Sequence, residues 1–215
     1  MTTRTLAALA LAGLAACGPL NDGSAARGFL AVMQARLSGE SGAPPAPPIT
    51  RAQADANPGA YLLVTAYGGA SSSAMVPAGQ NGNRITWISA DNVTITVENG
   101  LIVATRGFPR DLMAAELRGV RQAIAAGRGT ATRTHETLSD LDQISTELLQ
   151  CSIVSDGTET IAILGKSAVT RKVRESCTGE RVAFTNTYWL DGAGGILRSQ
   201  QAVAPLTGFL QLDRL

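Results

Sequence analysis

Residues 93–106, VTITVENGLIVATR, decide the fold. Val93, Ile95 and Val97 alternate with Thr94, Thr96 and Glu98, a period of two that suits a strand with one buried face. Asn99-Gly100 follows, and then a second β-rich run, Leu101 to Arg106. Asn-Gly between two such runs predicts a hairpin, because a type I′ turn needs positive φ at both central residues.

Working outward, "YLLVTAY" from Tyr61 and "RITWIS" from Arg84 read as earlier strands, with the "ADN" before Val93 as a turn. Residues 130–138, 144–154, 159–164, 169–177, 181–190 and 196–203 read as later ones. They are separated by turns at "SDLDQ", "SDG", "CTGE" and "DGAGG". The expected fold is mainly β, a continuous antiparallel meander. One interruption is predicted to be a helix over about 109–126: Pro109 suits a first helical turn and Asp111 the amino end. Leu112, Met113, Leu117, Val120 and Ile124 supply an apolar stripe, and Gly127 a stop.

The amino terminus is of a different kind. Arg4 precedes an apolar run, Leu6 to Ala12, that fits a signal peptide and is well short of the roughly 20 residues that span a bilayer. Leu14-Ala15-Ala16-Cys17 resembles a bacterial lipobox at every position, and Gly18-Pro19 would break a helix continuing through it. The expected organisation is a signal peptide over 1–16, a lipid-anchored tether over 17–49 and a single β domain over 50–215. The tether holds a short amphipathic helix over 25–37, with Phe29, Leu30, Met33 and Leu37 on one face, and a proline-rich connector. Thr50 then caps a turn of helix through Ala56, ended by Pro58. In lipoproteins that resemble this one, an Asp after the cysteine signals inner-membrane retention. Gly18 therefore points to the outer membrane, with the protein facing the periplasm.

That compartment is oxidising, and it holds two further cysteines, Cys151 and Cys177, which read as one disulfide. They are expected on strands separated by one intervening strand, or at a strand and a neighbouring turn. Two independent buried thiols are the other reading. With 18 basic and 17 acidic residues the net charge is +1, so the chain lacks the basic field that nucleic acid requires.

Catalytic motifs are scarce. His135 is the sole histidine and reads as a solvent-facing strand residue. One histidine and two paired cysteines build no zinc cluster, and no cofactor is implied. Asp140, Asp142, Asp156, Asp191 and Glu175 could supply the two acids of a glycan hydrolase. All but Glu175 fall in turns, where Asp bonds its own backbone. Two stretches have the chemistry that holds a sugar ring, aromatic faces beside Arg and Asp. They are "ATRGFPRDLM", with Arg106, Arg110 and Asp111, and "TNTYWLDGAGG", with Tyr188 and Trp189. Alternatively, Arg106 and Asp111 form a local ion pair and one of the two aromatics packs inward.

The same stretches resemble the YjbF/GfcB-type lipoproteins found with exopolysaccharide and group 4 capsule genes. The resemblance runs from Cys17 to the end through the lipobox, "ITRAQ", the block from Ala78 to Met113 and "FTNTYWLDGAGGILRSQQAVAPLTG". Trp87, the Asn99-Gly100 turn and the "TRG…DLM" passage are its most specific part; Ala202 and Arg110 depart from the pattern. The resemblance implies a meander folded on itself, barrel- or sandwich-like, and a role in exopolysaccharide production or export. It brings no catalytic residue. The functional expectation is a non-catalytic accessory lipoprotein that contacts glycan or export-machinery proteins through Trp87, Arg106, Arg110, Asp111, Tyr188 and Trp189. A glycan-modifying enzyme using turn carboxylates and a lipid- or lipoprotein-binding β scaffold are the alternatives.

Overall fold

The computed structural model describes residues 47–138, 141 and 143–215. Cys17, the 25–37 segment, Asp140 and Asp142 lie outside the described residues. The first described element is α1 (Arg51–Ala56), capped as expected. Thr50 Oγ1 accepts from the Gln53 N–H while Gln53 Oε1 accepts from the Thr50 N–H, at 3.3 and 2.9 Å.

Twelve strands follow: β1 (Leu62–Ala66), β2 (Ser71–Asn81), β3 (Arg84–Ile88), β4 (Thr94–Glu98), β5 (Leu101–Arg106), β6 (Leu112–Arg118), β7 (Arg128–Leu138), β8 (Ile144–Ile163), β9 (Lys166–Thr178), β10 (Ala183–Leu190), β11 (Ile196–Ala204) and β12 (Gly208–Arg214). All belong to one sheet in the order β5-β4-β3-β2-β1-β12-β11-β10-β9-β8-β7-β6. This is two meanders joined where β1 pairs antiparallel with β12, Leu62 opposite Arg214. The first and last strands of that order, β5 and β6, are consecutive in the chain, so the sheet curls into a nearly closed barrel. The expected hairpin is present, with Asn99 at φ 51° and Gly100 at φ 87° between β4 and β5.

Strand β5 is the structural pivot. Leu101, Ile102 and Val103 are buried in succession, so the strand is covered on both faces. Ile102 joins Leu62, Val64, Met75, Ile95, Leu112, Leu210 and Leu212 in one apolar cluster, while Leu101 joins Val120, Ile124, Leu149, Ile153, Val173, Tyr188 and Leu190 in the other. Each such aliphatic side chain contributes about 1.5–3 kcal/mol on burial. The β5 backbone is satisfied from across the sheet, since Gln201 Oε1 on β11 accepts from the Ile102 N–H at 3.0 Å. The Gln201 amide also donates to Gly100 O at 2.9 Å. At Gly100 a Cβ would lie 2.9 Å from the Ile196 side chain, so the hairpin tip needs glycine for space as well as for φ.

The helix expected over 109–126 is corrected. Only Val120–Ala126 is helical (α2), packed through Val120, Ala123 and Ile124 and stopped at Gly127, φ 69°. Residues Leu112–Arg118 are β6, paired with β7. A register shift between Leu112 and Ala114 brings Leu112 and then Ala115 to the buried face, a spacing of three that imitates a helix turn. The ladder to β7 outweighs the modest helix propensity of "LMAAELR". Similarly, "SDG" is not a turn but a register shift between Ser155 and Thr158 within the 20-residue β8.

Cys151 and Cys177 form a disulfide, S–S 2.03 Å, between directly opposed residues of the adjacent strands β8 and β9. No strand intervenes, contrary to expectation.

Candidate functional site

The "ATRGFPRDLM" passage closes the gap between β5 and β6. Thr105 Oγ1 accepts from the Leu112 N–H at 3.0 Å and donates to Asp111 Oδ1 at 2.8 Å. Asp111 also accepts from the N–H groups of Gly107 and Phe108, at 2.9 and 3.3 Å. The Arg106 guanidinium reaches the carbonyls of Leu112 and Met113, each at 3.2 Å. Arg110 donates to Leu138 O at 3.2 Å, and its backbone exchanges two hydrogen bonds with the Thr207 hydroxyl. Arg106, Arg110 and Asp111 are thus together, but as a clasp of the sheet. Asp111 serves as a loop cap, while Arg106 donates to backbone carbonyls.

Tyr188 and Trp189 point to opposite sides of β10. Trp189 lies on the outer side under Lys172, whose ammonium is 5.5 Å from the ring centroid. Tyr188 is fully buried in a polar network. Its hydroxyl donates to Glu175 Oε2 at 2.7 Å, and Arg133 pairs with Glu175 through Nε–Oε1 at 2.7 Å and Nη2–Oε2 at 2.9 Å. Asn186 adds a third donor to the carboxylate at 2.9 Å. Burial pushes the Glu175 carboxyl up, but the Arg133 charge and these hydrogen bonds hold it below its ordinary value. Burial raises the Tyr188 hydroxyl well above its own.

His135 is buried, 6% exposed, not solvent-facing as its place in "TATRTHETL" suggested. It follows Arg133 on the inner face of β7 and stacks on Phe184 of β10, centroids 5.5 Å apart. Its Nε2 is buried without a hydrogen-bond partner among the described residues. Desolvation, with the Arg133 charge, brings its pKa down to about 4, so the ring is neutral at pH 7.

Two cavities open at opposite ends of the strands. One, of about 560 Å3, has His135 in its wall with Glu147, Arg181, Phe184 and Phe209. The backbone N–H and guanidinium of Arg181 bind Glu147 at 2.7 and 2.8 Å and hold its carboxyl below the usual range. The other, of about 330 Å3, is bordered by Trp87, Gln80, Asn83, Asn99 and Arg214. Trp87 also packs against the β1 to β6 apolar cluster. The sequence singled out Trp87 beside the second cavity and Arg110 in the wall of the first, but not the first cavity itself. The other polar residues of that wall are spread from β7 to the turn before β10.

Among the described residues, the expected turn acids Asp191 and Asp156 are engaged. Asp191 accepts from the N–H groups of Ala193 and Gly195 and from Arg214, at 3.0, 2.7 and 2.8 Å. Burial raises its carboxyl, and those donors bring it below its ordinary value. Asp156 pairs with Arg174. Glu175 lies near the two cysteines, but both sulfurs are in the disulfide, leaving no thiolate for a metal. Among the described residues no helix is long and apolar enough to cross a membrane.

A single antiparallel sheet curled round two apolar clusters, with a cavity at each end, defines a β-barrel-like protein. Residues 29–215 match the family described as group 4 capsule polysaccharide lipoprotein gfcB, YjbF, and the chain belongs to that family. Among solved structures it is similar to a hypothetical lipoprotein, YmcC, from Escherichia coli (K12). The TM-score is 0.68 at 20% identity, over 85% of this chain and 92% of that one. No curated protein sequence matches.

Proposed function

We propose that the protein is a non-catalytic accessory factor in exopolysaccharide or capsule assembly or export. It is held at the outer membrane by lipid on Cys17, faces the periplasm, and acts by binding the glycan or a protein of the export machine. The pathway follows from the family. The non-catalytic part rests on one observation: Glu175, Asp156 and Asp191 are each locked by arginine or backbone donors, and none presents a raised carboxyl acid for general-acid work. Deletion of the gene should change the amount, size or surface retention of secreted polysaccharide. Complementation should require Cys17 but tolerate Asp156→Asn with Asp191→Asn. Unchanged polysaccharide after deletion would overturn the role, and loss of function in the folded Asp156/Asp191 variant would overturn its non-catalytic character.

A further inference from the structure

We propose that the cavity between β7 and β12, walled by His135, Glu147, Arg181, Phe184 and Phe209, binds a pyranose unit of a polysaccharide. The inference rests on the polysaccharide role proposed above and names the site and the ligand class. Its volume, about 560 Å3, falls within the range of roughly 300–1,000 Å3 usual for small-ligand sites.

The wall has two chemical halves. Phe184, Val203, Pro205 and Phe209 are apolar, and Phe209 is 39% exposed, an aromatic face held open at the mouth. Beside them are groups that hydrogen-bond hydroxyls: Thr137, Ser145 and the Glu147–Arg181 pair. A pyranose has the matching halves, C–H faces for the aromatic rings and a rim of hydroxyls for the polar side. A purely hydrocarbon ligand would desolvate the Glu147 carboxylate and the Arg181 guanidinium, whereas hydroxyls keep them hydrogen-bonded.

The test uses full-length lipoprotein in detergent and the polysaccharide secreted by the producing strain, cut to short fragments by mild acid and separated into neutral and acidic pools. Saturation-transfer NMR should show transfer to pyranose C–H protons from at least one pool. The transfer should fall at least tenfold in Phe209→Ala, which removes the exposed aromatic face, and in Ser145→Trp, which fills the cavity. Equal transfer in wild type and both variants would overturn the site, as would loss in Trp87→Ala alone, which moves binding to the other cavity. Transfer confined to non-carbohydrate protons of the extract would overturn the ligand class. Absence of transfer from either pool, in a strain whose polysaccharide depends on the gene, would overturn the inference and leave the accessory role standing.

Discussion

Arg133 on β7 and Glu175 on β9 form a bidentate ion pair that is 2% and 0% exposed, reached across the inner face of β8. Such a pair is costly to build and more costly to halve, since desolvation offsets most of the mutual attraction while one partner alone is left charged and buried. Arg133→Met should therefore destabilise the domain by about 3–5 kcal/mol, whereas Arg133→Met with Glu175→Leu should restore most of that loss. Urea unfolding of both variants measures it. A single variant within 1 kcal/mol of wild type would show that Glu175 finds another cation or takes up a proton at little cost.

His135 gives the stability a pH dependence of known sign. Its folded pKa, brought down to about 4 by burial and then by Arg133, lies below the ordinary 6.5, so the unfolded chain binds the extra proton first. The contribution is complete above about pH 6.5 and is lost progressively as pH falls toward 4, for a total on the order of 3 kcal/mol. His135→Phe keeps the stack on Phe184 and should flatten the stability profile between pH 6.5 and 4. An unchanged slope in that window would assign it to other groups. Glu175, with its carboxyl below the ordinary value, loses its share only at more acid pH and in the same direction.

Much of the meander was legible because its strands alternate and its turns carry Asn, Asp and Gly. The Cys151–Cys177 pairing was legible for a different reason, two cysteines left over in a chain read as exported to an oxidising compartment. What escaped had a common cause, local patterns broken by irregularities of the sheet. β2 was missed because Ser71, Ser72, Ser73, Pro77 and Gly79 are poor strand residues, and its register shifts between Pro77 and Gly79. β6 looked helical because of its own register shift, and β12 was hidden behind the Pro205 turn. The clasp residues were recognised as unusual but given the wrong partners. Arg106 and Asp111 bond backbone groups across the β5–β6 gap, and no local pattern announces that two edges meet. The His135 cavity was invisible for a stronger reason, since its wall draws on residues up to 99 apart, from Arg110 to Phe209.

The clasp makes its own prediction. Asp111→Ala removes the acceptor of the Gly107 and Phe108 N–H groups and of the Thr105 hydroxyl, leaving donors at a seam that has no ladder of its own. The expected cost is about 1–3 kcal/mol. It should be local: amide exchange should accelerate in Leu101–Arg106 and Leu112–Arg118 while the β8–β9 ladder keeps its protection. Uniform acceleration across all strands would mean that the seam does not open independently.

The disulfide should act on the opposite meander. Cys151 and Cys177 are 26 residues apart, and the loop they close passes through the β8–β9 turn. Cross-linking a loop of that length restricts the unfolded chain by about 3.5 kcal/mol in the entropic account. Both sulfurs are packed in the cluster with Leu149, Ile153 and Val173, so the reduced thiols remain buried and the native ladder needs no rearrangement. Cys151→Ser with Cys177→Ser would add the penalty of burying two hydroxyls, so Cys151→Ala with Cys177→Val is the cleaner substitution. That variant should fold, with a Tm lower by about 10 °C at this chain length. Reduction of the wild type should produce a similar fall. A variant as stable as the oxidised protein would mean that the β8–β9 pairing already persists in the unfolded ensemble, so that the cross-link restricts nothing further.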